Sequence, residues 1–263
     1  MGSISNRSFG IDVTSTFDPL GFVYGPESFG PEPELRALDA IRSSLLDPTS
    51  TGPEVVYAIA MDVGNNRDRQ AIVSRNLLFG VVTYARGRVG REPVRSQGHV
   101  HTPSLSCGSS TCEVYEIWSG RACIYMQETA EDDPGRCFAV FAGPGEVVVV
   151  PPTWAHAAIN ADVSRNLTFG AWCVRDYGFD YEGVRGHGGM AWFPICEDDG
   201  SIGFVRNPRY HPSTLVQKTP EDYEKLGIER DVPIYRQFEQ DPDRFLFVSN
   251  PRMAEAAWQH FTP

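Results

Sequence analysis

Two histidines stand one residue apart at His99 and His101, a carboxylate follows at Glu113, and a third histidine, His156, lies further on. In an extended strand, residues two apart point to the same side, so His99 and His101 share a face, as do Glu113, Tyr115 and Ile117. Turned toward the interior of a small barrel, those faces converge. Three imidazoles and one carboxylate form a four-ligand set that suits a borderline divalent ion and leaves coordination positions open to water or substrate. The carboxylate is also a candidate general base, and Tyr115 is either a hydrogen-bond donor beside it or an ordinary packed aromatic.

The segments that must carry these residues read as strands. From Val55 onward short apolar or alternating runs (VVYAIAMDV, LLFGVVTYARGRVG, CEVYEIWSGRACIYMQE, RCFAVFAG, EVVVVPPTW, LTFGAWCV) are divided by Gly, Pro and Asn. No helical pattern lies between them, which predicts an all-β sandwich or barrel. Upstream, PELRALDAIRSSLLDP places Leu35, Leu38, Ile41 and Leu45 at helical spacing and ends at Asp47-Pro48, which predicts one amphipathic helix. After about residue 205 the chain is Pro-punctuated with one short helix, and NPRMAEAAWQHF predicts a last helical piece. The expectation is a single domain over 1–263: an arm and helix to about 54, a barrel over about 55–205, and an extension from about 206.

With 263 residues, 41% of them hydrophobic, one sizeable core can be buried. A net charge of −11 disfavours nucleic acid as a partner, so an anionic substrate would need a local cation. No long apolar run and no signal-peptide pattern is visible, so neither membrane insertion nor secretion is expected and the cytoplasm is the expected location. Six cysteines without a CxxC pair read as free thiols.

The spacing resembles a known family. HVH, then Glu113, six residues and Gly120 is similar to the first cupin motif. Gly145, five residues, Pro151, four residues, His156, three residues and Asn160 is similar to the second. Two departures stand out: eleven residues separate His101 from Glu113, and Thr153 stands where the second motif often has glycine. The first reads as a lengthened hairpin loop, since PSLSCGSS is turn-forming. Over about residues 53–210 the ordered segments resemble the cupin-type glucose-6-phosphate isomerases. That resemblance implies a cupin (double-stranded β-helix, jelly-roll) barrel with terminal extensions, assembled as a homodimer. It implies Fe(2+), or else Mn(2+), Zn(2+) or Ni(2+), held by His99, His101, Glu113 and His156, and a small sugar phosphate as substrate.

Carried over position by position, the resemblance makes Glu113 and Tyr115 the catalytic pair and places Ser96, Gly98 and Tyr181 on the substrate. Arg88, with Arg86 on its face, becomes the expected phosphate site. Elsewhere apolar residues or thiols, at Ala60, Val81, Val82, Cys173 and Phe179, stand where the family has polar groups. The expected reaction is aldose–ketose isomerisation through an enediol, with Glu113 moving the proton. The polar losses predict a less polar substrate or a weakened isomerase. An iron(II) oxygenase, an isomerase or lyase of a specialised metabolite, and a non-catalytic ligand-binding cupin remain open alternatives on the same scaffold.

Overall fold

The computed structural model describes residues 2–263 and is mostly β. One sheet has six strands, in the order Val147–Val150, Glu113–Ser119, Leu167–Val174, Leu77–Tyr84, Val55–Met61 and Glu34–Ala37, all antiparallel to their neighbours. A second sheet runs Ala155–Asn160, Ala122–Gln127, Cys137–Ala142 and Leu215–Lys218, the last pairing parallel. The two sheets face each other as the walls of a cupin barrel. Short pairings stitch its open end: Val100–His101 with Phe179–Asp180, and a bridge between His99 and His156.

Alternation decides which residues face the interior. From Glu113–Ser119, Tyr115 and Ile117 enter a central core with Ile124, Val140, Val148 and Phe169. Val114 and Trp118, on the opposite face, pack outward with Phe79 and Trp172. That outer face is itself buried, because the C-terminal extension lies on it. Trp172 is ringed by Phe79 and Phe238 at 4.7 Å and by Tyr235 and Phe245 at 5.6 Å between ring centroids. Strands covered on both faces read as continuous apolar runs, which explains why LLFGVVTY showed no clean alternation. The helical pieces of the extension are Ile234–Gln240, Leu246–Ser249 and Glu255–Trp258. Two short helices, Arg69–Ser74 and Glu182–Gly186, interrupt the strands where none was expected.

The amphipathic helix expected over 35–45 does not form. Glu34–Ala37 is instead the edge strand of the larger sheet, with Leu35 opposite Ala58 and Arg36 opposite Tyr57. Two single 3-10 turns, Leu38–Ala40 and Arg42–Ser44, follow it. Leu38, Ile41 and Leu45 are buried as their spacing demanded, while Leu35 is half exposed. An unpaired strand edge offering a ladder of backbone hydrogen bonds outweighed helix propensity in this segment.

Candidate metal and substrate site

His99, His101, Glu113 and His156 meet at the open end of the barrel, with one potential ligand atom from each lying within 4.8 Å of every other. The HVH segment is bridged at His99 to the strand of His156, and Glu113 comes from the six-stranded sheet. Two histidines have their tautomers set by backbone carbonyls. Nδ1 of His101 donates to the Thr111 carbonyl at 2.9 Å, and Nδ1 of His156 to that of Trp154 at 3.2 Å. Each therefore turns an Nε2 lone pair into the site. Burial, reinforced by the neighbouring imidazoles, holds His99 well below the ordinary histidine range, and burial also lowers His156. Burial works against ionising Glu113, yet protonated His101 and His156, as donors and as charges beside it, outweigh burial and hold it well below the usual carboxylate range, a place that a cation takes when those imidazoles are neutral.

The residues present fit a metal ion. Nε2 of His99 and of His101 are buried without a hydrogen-bond partner, and buried polar atoms are rarely left so. The Nε2 atoms of His101 and His156 also stand 3.3 and 3.4 Å from one oxygen of Glu113. Imidazole lone pairs aimed at an ionised carboxylate repel it unless a cation lies among them. Three nitrogens and a carboxylate oxygen are the donor set of a borderline divalent ion.

Around this quartet Tyr115 donates its hydroxyl to Glu113 Oε2 at 2.8 Å, and the Cys173 thiol to Oε1 at 3.2 Å. Burial, then the adjacent carboxylate, raises Tyr115 well above the ordinary phenol, so it stays protonated as a donor. The cavity opening from the ligands is lined by hydroxyls (Tyr57, Tyr84, Ser96, Tyr181) interleaved with apolar residues that include Val82, Phe169, Ala171 and Phe179. Phe179 packs on His99 with ring centroids 4.3 Å apart.

Of the expected substrate residues, Ser96, Gly98 and Tyr181 line this cavity. Gly98 has φ +93°, a conformation that favours glycine, and a Cβ there would displace the Met190 side chain, whose sulfur would lie 2.5 Å away. Arg88 is not among the lining residues. Gly87, at φ +109°, turns the chain after Ala85, and Arg88 is carried off exposed on a two-residue ribbon paired with Glu92–Pro93. Arg86 borders a different groove, with Phe17 and Leu35. The cation that does line the cavity is Arg36, hidden from sequence reasoning inside the supposed helix. Tyr57, Tyr84 and Gln97 were also passed over. The alternation of VVYAIAM was the available signal for Tyr57. The same alternation removes Ala60 and Val81 from the set of altered pocket residues, because both face the outer core.

The inserted loop 102–112 is built into the site. Asp176 accepts hydrogen bonds from Ser104 Oγ (2.8 Å), Ser106 N (2.9 Å) and Asn76 Nδ2 (2.8 Å). The loop supplies the Thr111 carbonyl that orients His101. Its Ser110 hydroxyl accepts from the backbone N–H of Thr153, in the turn before His156. Thr153 keeps a left-handed φ of +72° although it is not glycine. All six cysteines are free, and His187 is held between Gly183, Asp132 and Tyr210, away from the lining.

A family model described as glucose-6-phosphate isomerase (GPI) matches residues 34–213, more than half of the chain. The chain belongs to that family. Glucose-6-phosphate isomerase of Thermococcus kodakarensis is 31% identical over 135 residues, covering 51% of this chain and 65% of the relative. Its counterpart in Pyrococcus abyssi is 32% identical over the same coverage. A putative glucose-6-phosphate isomerase 1 of Rhizobium meliloti is 28% identical over 156 residues, 59% of this chain and 65% of the relative. The matched part of the chain thus spans just under two thirds of these relatives' length. Among solved structures, oxalate decarboxylase from Bacillus subtilis matches with a TM-score of 0.35 at 19% identity, over 48% of this chain and 27% of that one. A vicilin from Corylus avellana matches at 0.36 and 11%, over 50% and 33%. Among the described residues no helix is long and apolar enough to cross a membrane.

Proposed function

We propose that this family member is a metal-dependent aldose–ketose isomerase that interconverts glucose 6-phosphate and fructose 6-phosphate, or a closely related sugar-phosphate pair. The observation that carries the reading is an ionised carboxylate, Glu113, at the end of an open cavity, facing histidine nitrogens left without partners and steadied by a protonated tyrosine. His99, His101, Glu113 and His156 would hold a divalent ion, Fe(2+) in the first instance. Bound there, that ion would supply positive charge beside the C1 and C2 oxygens of the sugar, where negative charge develops during isomerisation.

The protein's own groups would do the rest. Glu113 takes the proton from one carbon and returns it to its neighbour through an enediol. A carboxylate held this far below its usual pKa is a weak base, so its strength as a base must come from being loosened and desolvated once substrate fills the cavity. Tyr115, fixed in its protonated form, keeps Oε2 aimed and can donate to a developing enediolate oxygen. The apolar lining of Val82, Phe169 and Phe179 lowers the polarity around the developing charge and so strengthens what Glu113 and Tyr115 offer it. The hydroxyls of Tyr57, Tyr84 and Ser96 answer the polar losses elsewhere, because they offer partners to a hydroxylated chain.

The test is anaerobic incubation of fructose 6-phosphate in deuterium oxide with added Mn(2+) or Fe(2+). Glucose 6-phosphate carrying deuterium at C2 is the expected product. Iron-dependent oxygen consumption with no sugar-phosphate turnover would instead favour oxygenase chemistry on the same four ligands.

A further inference from the structure

The cavity has one unassigned charged group. Among the described residues lining it, Arg36 is the only lysine or arginine. Its strand brings it opposite Tyr57, and its guanidinium lies over the Tyr57 ring, 5.9 Å from the centroid. Tyr181 is close enough to feel the Arg36 charge, and its ring centroid stands 5.9 Å from that of His99. Arg36 is thus one aromatic ring removed from a metal ligand. That is a sensible place for the far end of a sugar whose carbonyl end lies at the ligands.

Two details suggest that this guanidinium is waiting for a ligand. Its Nε is buried and has no hydrogen-bond partner. Its Nη2 donates to Glu34 Oε1 at 2.6 Å, but the Glu34 side chain is 66% exposed. Exposed ion pairs contribute little and exchange easily. A phosphoryl group can accept from Nε and Nη2 together, in the fork arrangement that a guanidinium makes best. On a chain of net charge −11, a local cation is what an anionic substrate requires.

We propose that Arg36 is the phosphate-recognition and specificity-determining residue of this cavity, and that Glu34 is its resting partner, displaced when a phosphorylated sugar binds. The inference rests on the isomerase reading for the identity of the substrate, but its test does not depend on turnover. Binding of fructose 6-phosphate, fructose and inorganic phosphate is measured by calorimetry on the metal-loaded protein and on Arg36→Ala, Arg36→Lys and Glu34→Gln. Arg36→Ala is expected to weaken fructose 6-phosphate by roughly 10- to 100-fold while changing fructose by less than about 3-fold. Arg36→Lys keeps the charge without the fork and falls between. Glu34→Gln leaves Arg36 in place and frees it, so it is expected to tighten fructose 6-phosphate and phosphate by roughly 2- to 5-fold. The inference is overturned by equal losses for fructose and fructose 6-phosphate in Arg36→Ala, by unchanged or weakened binding in Glu34→Gln, or by a wild type that binds no phosphate-bearing ligand. Tight, Arg36-dependent binding without isomerisation would sink the isomerase reading alone. Turnover indifferent to Arg36 would sink this inference alone.

Discussion

Replacing Tyr115 by Phe removes one oxygen and little else. The ring keeps its edge contact with Phe169, 5.2 Å between centroids, so the barrel core should hold. What is lost is a 2.8 Å hydrogen bond from a buried neutral hydroxyl to a buried carboxylate. Bonds to charged groups are worth about 1.5–3 kcal/mol when both partners are shielded from water. If that energy serves to aim Glu113 and is felt in the transition state, kcat/KM should fall by roughly 10- to 150-fold. Because Tyr115 supplies no ligand atom, metal content should stay near that of the wild type. The assay is the isomerisation rate for fructose 6-phosphate, with bound metal quantified on the same sample. A loss under about 3-fold with full metal would refute the assigned positioning role. Loss of the metal itself would show that the hydroxyl steadies Glu113 as a ligand rather than as a base.

The protein without metal holds lone pairs against a carboxylate, so added Mn(2+) or Fe(2+) should raise the Tm. Metal at about 100 times its Kd should stabilise by about 2.7 kcal/mol, and His99→Ala should abolish most of the gain in differential scanning fluorimetry. Glu116, on the buried outer face, accepts from Trp118 Nε1 at 2.9 Å and from the backbone of Ile234 at 3.2 Å, and burial raises its pKa to about 8. The folded state therefore binds a proton that the unfolded chain releases near pH 4.5, so stability should fall as pH rises from about 4.5 to about 8 and level off above. Urea titrations of wild type and Glu116→Gln across that window should diverge by up to roughly 5 kcal/mol, and a constant difference would be the contrary result. Thr153→Gly relieves a left-handed β-branched residue at some cost in chain entropy, so a net gain of about 0.5–1 kcal/mol is expected by the same titration.

The metal quartet was legible in the sequence because strand period groups His99 with His101 and a motif resemblance adds His156. His156 was found through the resemblance of its segment to the second cupin motif, while HVH and EVY each place alternate residues on one face, whichever barrel contains them. The strand content was legible for the same reason, although the double burial of LLFGVVTY and LTFGAWCV blurred their alternation. Arg36 and the segment around it were not legible. Leu35, Leu38, Ile41 and Leu45 do fit a helix, and only the presence of an open sheet edge beside Val55–Met61 makes Glu34–Ala37 a strand. Arg88 failed for a related reason. Its position along the sequence matched, but a left-handed Gly87 redirected the chain after Ala85, and no residue type announces where such a turn will aim the next side chain. Ala60 and Val81 were assigned to the pocket by position, when parity along the strand places them on the other face.

The division between the middle of the sheet and its edge bears on how such a protein can change. Glu113, Tyr115 and Cys173 sit on strands paired on both sides, where a shift of register would turn every side chain on two interfaces and misplace the carboxylate. Arg36 and Glu34 sit on a strand paired on one side only, joined to the barrel by loop and single turns. Insertion, deletion or slippage there disturbs one ladder and leaves the metal quartet alone. On the proposed role of Arg36, four residues at the rim could be rewritten to accept a different far end of the substrate while the reacting end stays the same.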